Sequence, residues 1–323
     1  MNEKNKKVAI LMATYNGSRF ISEQIESLME QTFKNWILYV RDDLSTDETL
    51  SIVESYAEND KRIKIVRDGK GRLGACQNFA RLCQFIDRDA FDYFMFCDQD
   101  DRWRSEKIEI SVSTLENLEV NYKNDFLLAY GTLLYTDSKG VLLKISSPDF
   151  SSTPTLGKII AQNYIYGCTM IMNKKLFNEI GVIPEASENH DYWIALVAMF
   201  NDAKTQYISQ PLVFYRQHDS NVSGSYMNSS LLNRIKRLKN KSMEQSIFRR
   251  KAMIQEIFVR YQEVEKNFNI LLLTRYLNFL QFGGIANFYY VFDYGVRNFK
   301  FHSNILYYYA LIVVYLKRKF NFY

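Results

Sequence analysis

Three carboxylates stand within four residues of the chain, at Asp98, Asp100 and Asp101. They follow an apolar run, residues 91–97, that is typical of a buried strand. Carboxylates this close repel one another unless a cation lies between them, and Mg²⁺ and Mn²⁺ prefer such oxygen ligands. The alternative is a loop of solvated acids that happens to follow a strand. The sequence favours a divalent-metal site.

Strand–loop–helix units position these acids. Residues 8–13 form a continuous apolar run, and turn residues and a helical spacing of apolar residues follow. Four such alternations predict an α/β domain with a largely parallel sheet, in which ligands bind beyond the carboxyl ends of the strands. Four residues that follow predicted strands should meet there: Tyr15, Asp43, Gly74 and Asp98.

The second half of this domain has a mixed pattern. Residues 126–135 and 141–145 predict two strands joined by a hairpin-like turn. Further strands are predicted at 167–172 and 212–215, with a helix that opens near Asn189. After Met227 helical spacing dominates, which predicts a helical appendage.

Length, charge and cysteine content divide the chain and limit its class. The 323 residues, 47% of them hydrophobic, predict a catalytic domain at 1–226 and a helical region at 227–323. Residues 231–323 carry a formal charge of +11, whereas the rest of the chain carries −6. The four cysteines lack metal-binding spacing and suit free thiols in a reducing compartment, and no signal peptide opens the chain, so a cytoplasmic location is expected.

Several motifs together resemble the family-2 glycosyltransferases, which have the GT-A (Rossmann-like) fold. The resemblance covers residues 7–224 and rests on an opening loop at 13–17, a DDxSxDxT-like segment at 42–49 and a DxD-like segment at 98–100. The stretches 98–103, 190–193 and 215–218 more narrowly resemble rhamnosyltransferase-like enzymes that build bacterial surface polysaccharides. The QxxRW motif and transmembrane helices of processive synthases were not found.

The resemblance implies roles for the residues at the ends of the strands. The predicted nucleotide-binding residues are Thr14, Tyr15, Asn16, Asp43, Gly74 and Asp98. In this assignment Tyr15 offers a ring for stacking and Asp43 an acceptor for the base N3–H. Without the other motifs, an ordinary loop tyrosine and a helix-capping aspartate would be the preferred interpretation of these two.

The resemblance also implies a metal site and a general base. Asp100 and His218 are the predicted ligands of Mn²⁺ or Mg²⁺, although a lone histidine is more often structural. Asp191 is the predicted base, since inversion needs a carboxylate to take the acceptor proton; a helix N-terminal charge is the alternative. Asp101, Trp103 and Arg216 are assigned to contact the donor sugar or to support the site. Alternatively, Trp103 lies in the core, and Arg216 pairs with phosphate.

Together these features predict a metal-dependent inverting glycosyltransferase. The expected donor is dTDP-rhamnose, and the expected acceptor is a lipid-linked glycan in cell-surface polysaccharide synthesis. The alternatives are a UDP-sugar-dependent enzyme and a non-catalytic nucleotide-sugar-binding scaffold. The basic, aromatic C-terminal region, with its cluster at 234–241 and its apolar stretch at 305–316, predicts either peripheral contact with the inner face of the membrane or packing on the catalytic domain. Nothing resembles a nucleic-acid-binding module.

Overall fold

The computed structural model describes residues 6–146, 153–218, 242–261 and 268–283, together with positions 289, 291–297, 304, 307–309, 311–312 and 315–316. The predicted boundary at 226/227 and the basic cluster at 234–241, up to Lys241, lie outside the described residues. The division into two domains therefore stays a prediction.

The first half of the chain alternates strands and helices as predicted. Its elements are β1 (Val8–Thr14), α1 (Ile21–Met29), β2 (Trp36–Asp42), α2 (Thr49–Asn59), β3 (Ile63–Ile65), α3 (Ala75–Phe85), β4 (Tyr93–Asp98), β5 (Arg102–Trp103) and α4 (Lys107–Asn121). The second half contains β6 (Leu127–Thr136), β7 (Leu142–Ile145), α5 (Leu156–Ala161), β8 (Ile171–Asn173), α6 (Lys174–Ile180), α7 (His190–Phe200) and β9 (Lys204–Arg216). Two long helices follow, α8 (Ser242–Arg260) and α9 (Phe268–Phe282).

All nine strands join one sheet in the order β3-β2-β1-β4-β8-β6-β9-β5, and β7 pairs with β6. Strands β1 to β4 are parallel to one another, and β6 pairs with β9 in parallel. The pairings of β8, β5 and β7 are antiparallel. The predicted α/β sheet is confirmed. Beyond β4, the strands from the second half of the chain extend it.

Two details of the second half differ from the sequence-based expectation. The predicted strand at 167–172 is mostly a 3₁₀ turn, Gly167–Thr169, and only Ile171–Asn173 pairs in the sheet. The predicted strand at 212–215 is the end of the longer β9. Short apolar runs do not distinguish a strand from a tight turn, because both bury their side chains.

Helices cover both faces of the sheet, and this explains the continuous apolar strands. In β1, Ala9 and Leu11 pack in one core, whereas Val8, Ile10 and Met12 pack in the core on the other face. A parallel strand buried on both faces has no polar side to present, so its sequence does not alternate.

The two long C-terminal helices pack in the same core as the helices on one face of the sheet. Ile254 and Ile257 of α8 and Leu273 of α9 are fully buried in the same core as Trp193 of α7. The Arg250 guanidinium donates to the Ala161 carbonyl at 2.9 Å and so fixes α8 to the end of α5. In the part of the chain that the structure describes, no helix is both long enough and apolar enough to cross a membrane.

Candidate functional site

The acidic stretch lies at the carboxyl end of β4, as predicted. Asp98 is the last residue of β4 and lies beside Ala13 of β1, while Thr14 lies beside Asp42 of β2. Parallel pairing with a common direction therefore brings the opening loop, the acid pair of β2 and the acidic stretch to one end of the sheet.

Asp100 and His218 are brought together from positions 118 residues apart. His218 Nε2 lies 2.7 Å from Asp100 Oδ2, and the His218 ring packs against Phe20 with ring centroids 4.8 Å apart. Their side chains keep part of their surface open, 17% for Asp100 and 10% for His218. One carboxylate and one imidazole in contact, near solvent, form two of the ligands that a divalent cation would use.

A second group of potential ligands lies deeper. Carboxylate oxygens of Asp98 and Asp101 and the Cys168 sulfur all lie within 4.8 Å of one another. Burial, then the neighbouring Asp100 and Asp191, raises the pKa of Asp98 to about 7, and burial raises the pKa of Asp101 well above its usual value. A thiol is a poor ligand for Mg²⁺ or Mn²⁺, and Asp101 is fully buried, so the Asp100–His218 pair fits such an ion and its phosphate partners better.

Lys107 lies behind this acidic group and was not anticipated from the sequence. It is buried, its ammonium lies 3.6 Å from the centre of the Trp103 ring, and burial lowers its pKa to about 7. Trp103 is itself only 2% exposed. Of its two predicted roles, the structure favours the core position, because a ring covered by Lys107 cannot form the floor of an open pocket.

The position of Arg216 does not match its predicted role as a ligand of the donor sugar or of phosphate. Its side chain is buried, and its guanidinium donates to the Asp100 carbonyl at 3.1 Å, to the Ser138 carbonyl at 3.2 Å and to the Glu23 carboxylate. Its backbone N–H donates to Asp101 Oδ1 at 3.3 Å. Arg216 therefore holds the acidic loop in place, a role that depends on contacts between distant segments and leaves no mark in the local sequence.

The position of Asp101 likewise does not match a predicted contact with the donor sugar. It is fully buried, one oxygen accepts from the Arg216 backbone, and the other, Oδ2, has no hydrogen-bond partner among the described atoms. Of the two predicted roles, the structure supports the one in which Asp101 supports the site from behind Asp100.

Gln99 ties the acidic loop to the opening loop, and sequence reasoning missed it. Its side-chain oxygen accepts from the Tyr15 N–H at 2.9 Å, and its amide nitrogen donates to the Tyr15 carbonyl at 2.9 Å. The side chain lies so close to Gly17 that a Cβ there would be 2.3 Å from Gln99 Oε1. The central residue of the DxD-like segment therefore fixes the distance between the two loops.

The opening loop is held by the loop that follows β2. The Thr14 hydroxyl donates to Asp42 at 2.9 Å, and Asn16 Oδ1 accepts from the Thr46 N–H at 2.8 Å. Asn16 adopts a left-handed backbone conformation with φ 45°, which asparagine tolerates better than most residues. The Arg72 guanidinium carbon lies 3.9 Å from the centre of the Tyr15 ring. One face of the ring that is predicted to stack on a base is therefore in contact with a cation.

Asp43 lies beneath the glycine-rich connector. Its carboxylate accepts from the N–H groups of Leu73 at 2.8 Å and Gly74 at 2.7 Å, and from the Arg41 guanidinium at 3.1 Å. Gly74 has φ +80°, a conformation that glycine adopts without strain. The structure thus places two predicted nucleotide ligands, Asp43 and Gly74, in direct contact. In this arrangement Asp43 is 1% exposed, and its carboxylate oxygens accept from groups of the chain itself. The carboxylate is therefore not open to a nucleotide base in this structure.

Asp191 lies in the first turn of α7 and keeps one acceptor without a partner. Asp191 Oδ2 accepts from the Gly167 N–H at 3.2 Å, while Oδ1 is buried and has no hydrogen-bond partner among the described atoms. Burial raises the pKa of this carboxyl to about 6, and the hydrogen bonds from Gly167 and Tyr192 limit the rise. A carboxylate with an unused oxygen and a pKa near the working pH has the properties of a general base.

His190, beside Asp191, packs its ring against the core. Its ring packs on Phe79 with centroids 3.9 Å apart and on Phe96 at 5.0 Å, and burial lowers its pKa to about 3. It is therefore neutral at physiological pH. A Cβ at Gly167 would lie 2.6 Å from His190 Nε2, so only glycine lets the turn approach α7 and deliver its N–H to Asp191.

Comparisons with known proteins agree with this fold and with the predicted family. The profile of Glycosyl transferase family 2 matches residues 9–181, more than half of the chain. The dTDP-rhamnosyl transferase RfbG of Shigella flexneri is 29% identical over 235 residues, which cover 70% of this chain and 78% of RfbG. An Escherichia coli protein, UDP-Glc:alpha-D-GlcNAc-diphosphoundecaprenol beta-1,3-glucosyltransferase WfgD, is 28% identical over 193 residues, 59% of this chain and 69% of WfgD.

Among solved structures, S. aureus TarS 1–349 in complex with UDP-GlcNAc matches with a TM-score of 0.53 at 17% identity. The match covers 98% of this chain and 92% of that one, and at this identity it shows the fold alone. The predicted GT-A fold is confirmed. The predicted enzyme class, a glycosyltransferase, is confirmed by the family profile and by the relatives. On the strength of the matching profile, the chain belongs to glycosyltransferase family 2.

Proposed function

We propose that this enzyme is a metal-dependent, inverting glycosyltransferase that moves L-rhamnose from dTDP-rhamnose to a lipid-linked glycan during cell-surface polysaccharide synthesis. The observation that carries the proposal is the unpartnered Oδ1 of Asp191, a carboxylate close enough to the acidic stretch for its charge to raise the pKa of Asp98. The rhamnosyl donor is supported by the similarity to RfbG.

In the proposed reaction Asp191 is the general base. Its Oδ1 takes the proton of an acceptor hydroxyl as that oxygen attacks the anomeric carbon from the side opposite the nucleotide diphosphate. The bond between the anomeric carbon and the diphosphate oxygen breaks in the same step, and the electron pair leaves with the diphosphate. The Gly167 N–H, which donates to Asp191 Oδ2, orients the carboxylate so that Oδ1 faces the acceptor.

The residues present fit a divalent cation. Asp100 and His218 would hold Mn²⁺ or Mg²⁺, because their ligand atoms already touch and their side chains are partly open. The bound ion would offset the charge that develops on the leaving diphosphate. Arg216 and Gln99 position this pair from behind, through the Asp100 carbonyl and through the Tyr15 backbone respectively.

The nucleotide would lie between the opening loop and the glycine-rich connector. Thr14, Tyr15 and Asn16 are fixed by hydrogen bonds to neighbouring loops, and Tyr15 presents a ring for the base. For Asp43 to accept from a base, the connector at 73–74 would have to release its two N–H groups.

A second candidate is transfer from a UDP-sugar. It is favoured by the similarity to WfgD, a glucosyltransferase whose name states a UDP-Glc donor. The two candidates share the catalytic machinery and differ only in the donor.

Nucleotide release from a donor panel tests both candidates. The panel is dTDP-rhamnose, UDP-glucose, UDP-galactose and UDP-N-acetylhexosamines, each with Mn²⁺, Mg²⁺ or a chelator. Metal-dependent turnover of dTDP-rhamnose alone supports the first candidate, and turnover of a UDP-sugar supports the second. If no nucleotide binds at all, both donor candidates fail. Asp100→Asn should weaken nucleotide binding with metal but leave metal-free binding unchanged; unchanged binding in both conditions would refute the metal assignment.

We further propose that the enzyme acts at the cytoplasmic membrane face and contacts it peripherally. Support comes from the +11 charge of residues 231–323 and from exposed aromatic residues such as Phe282 and Phe292. Co-sedimentation of the full chain with anionic vesicles should be strong at low salt and weaken at high salt. Absence of binding at low salt would refute this location.

A further inference from the structure

A cleft opens at the start of α3, and part of its wall comes from the C-terminal region. Its volume is about 620 Å³, which is enough for a sugar and a diphosphate. Three segments line it: residues 73–77 at the start of α3, the loop at 185–188, and the face of α8 that carries Phe248, Arg249 and Ala252.

The start of α3 presents its positive end to this cleft. Gly74 precedes the helix, and no side chain in the described part of the chain caps it. The first bond of the helix runs from the Asn78 N–H to the Gly74 carbonyl, so the N–H groups of residues 75–77 lie beyond the helix ladder. Such N–H groups and the helix dipole favour an anion.

A buried hydroxyl without a partner marks the same cleft. Ser187 lines it and is only 6% exposed, yet its hydroxyl has no hydrogen-bond partner among the described atoms. A buried hydroxyl normally finds a partner, because leaving it unpaired costs about 1–3 kcal/mol. A ligand in the cleft would supply that partner.

Arg249 and Cys76 both line the cleft, and Arg249 adds a cation to it. Burial raises the pKa of the Cys76 thiol to about 12, with the Asp191 charge raising it and the Arg249 charge lowering it. The charge of Asp191 therefore acts on one wall of the cleft.

The walls of the cleft are fixed to one another. The Gln77 side chain donates to the Pro184 carbonyl at 2.9 Å, which joins α3 to the loop at 185–188. The Ser246 hydroxyl donates to Glu188 Oε1 at 2.7 Å, which joins α8 to the same loop. The cleft is therefore preformed, and Arg249 is held at it by a helix packed in the core.

We propose that this cleft binds the acceptor substrate, with Arg249, Ser187 and the start of α3 contacting a phosphate or diphosphate group of that acceptor. The inference rests on the proposed glycosyl transfer and gives α8 a part in acceptor recognition. Cys76, in the wall of this cleft, is within range of the Asp191 charge, so an acceptor whose anion is held here can place a hydroxyl at the proposed base.

The two carboxylates that line the cleft suit the sugar portion of such an acceptor. Glu188 accepts from Ser246, and the Arg250 guanidinium lies 4.0 Å from its other oxygen, so its charge is partly offset. Glu185 is exposed and can accept hydrogen bonds from sugar hydroxyls. The anion is thereby directed toward Arg249 and the α3 N–H groups rather than toward the glutamates.

Calorimetric titration with farnesyl diphosphate tests the proposal, since this probe carries a diphosphate and a short prenyl chain but no sugar. The full-length protein is titrated with and without saturating dTDP or UDP. We expect binding in both conditions, and Arg249→Gln should weaken it about tenfold or more, as loss of a charge-assisted contact does. Arg249→Lys should retain most of the affinity, and Ser187→Ala should weaken it by a smaller factor.

The matched control is Lys64→Gln, which removes one exposed positive charge from the edge strand β3 and should leave the affinity unchanged. Equal affinities of the wild type and Arg249→Gln would overturn the proposal. Complete competition by dTDP or UDP would also overturn it, because the anion would then occupy the donor diphosphate position. Nucleotide binding by Arg249→Gln should match the wild type. A wild type that binds the probe but no nucleotide would count against the proposed glycosyl transfer and not against the cleft.

Discussion

Replacing Asp191 with asparagine should abolish transfer and, at the same time, stabilise the fold. The substitution keeps the size of the side chain and an oxygen that can accept from the Gly167 N–H, but it removes the base and the charge. A catalytic carboxylate held in a buried position costs folding free energy, because the ionised form is less well solvated there than in the unfolded chain.

The magnitude follows from the pKa. Burial raises the pKa of Asp191 from 3.8 to about 6, and a shift of about two units corresponds to about 3 kcal/mol. Because the folded pKa lies above the unfolded value, the ionised carboxylate destabilises the fold. This penalty is absent below the unfolded pKa, grows as the pH rises from 3.8 to about 6, and is complete above that. At pH 4.5 it amounts to about 1 kcal/mol and at pH 7.5 to about 3 kcal/mol.

Urea unfolding of the wild type and of Asp191→Asn at these two pH values measures the difference. The variant should be more stable at pH 7.5 by up to about 3 kcal/mol, and the gap should shrink at pH 4.5. Asp89→Asn serves as the control, because the Asp89 side chain is 92% exposed and should show no comparable gain at either pH.

The reasoning is refuted if Asp191→Asn is no more stable than the wild type at pH 7.5, or if the gap is the same at both pH values. Either result would mean that the carboxylate is solvated or paired in the folded protein. Retained sugar transfer by the variant would separately refute the assignment of Asp191 as the base, whatever the stability result.

Three further predictions follow from the same contacts. Transfer by the wild type should fall about tenfold between pH 7 and pH 5 as Asp191 takes up a proton; a flat pH–rate profile over this range would contradict its pKa of about 6. Ile254→Ala should lower the free energy of unfolding, measured by denaturant titration, by about 2–4 kcal/mol, because Ile254 is fully buried. Val259 is 60% exposed, so Val259→Ala should lower it by about 0.5 kcal/mol. Equal small losses for the two variants would show that α8 does not share the core. Gly17→Ala and Gln99→Ala should each weaken nucleotide binding several-fold in a fluorescence titration, because a Cβ at Gly17 would displace Gln99; unaltered affinity would exclude that tie.

The architecture was predictable because its signals are local. The apolar run of β1 and the turn residues after it specify a strand buried on both faces, and β4 repeats the pattern before its acids. Once these strands are parallel, Thr14 and Asp98 must lie at the same end of the sheet. The order of the motifs then indicated the family, which the matching profile confirms.

The prediction that Asp100 and His218 serve one site needed the resemblance as well as the sequence, since 118 residues separate them. The structure brings them to 2.7 Å because the end of β9 passes the loop that follows β4. The metal itself stays a prediction. By contrast, Trp103, Arg216 and Asp101 are buried, and no local pattern reports whether a polar residue at the end of a strand faces solvent or the interior.

Local sequence patterns predicted most of the helices and strands, the fold that they form and the types of residues at the ends of the strands. Which of these residues contact one another depends on how the whole chain packs: Gln99 contacts the opening loop, Arg216 contacts the acidic loop, and Arg249 reaches the cleft from α8. The physical reason is the range of the interactions. Propensity and periodicity act over a few residues, whereas burial and hydrogen bonding join segments about 100 or more residues apart, and these are fixed only when the whole core packs.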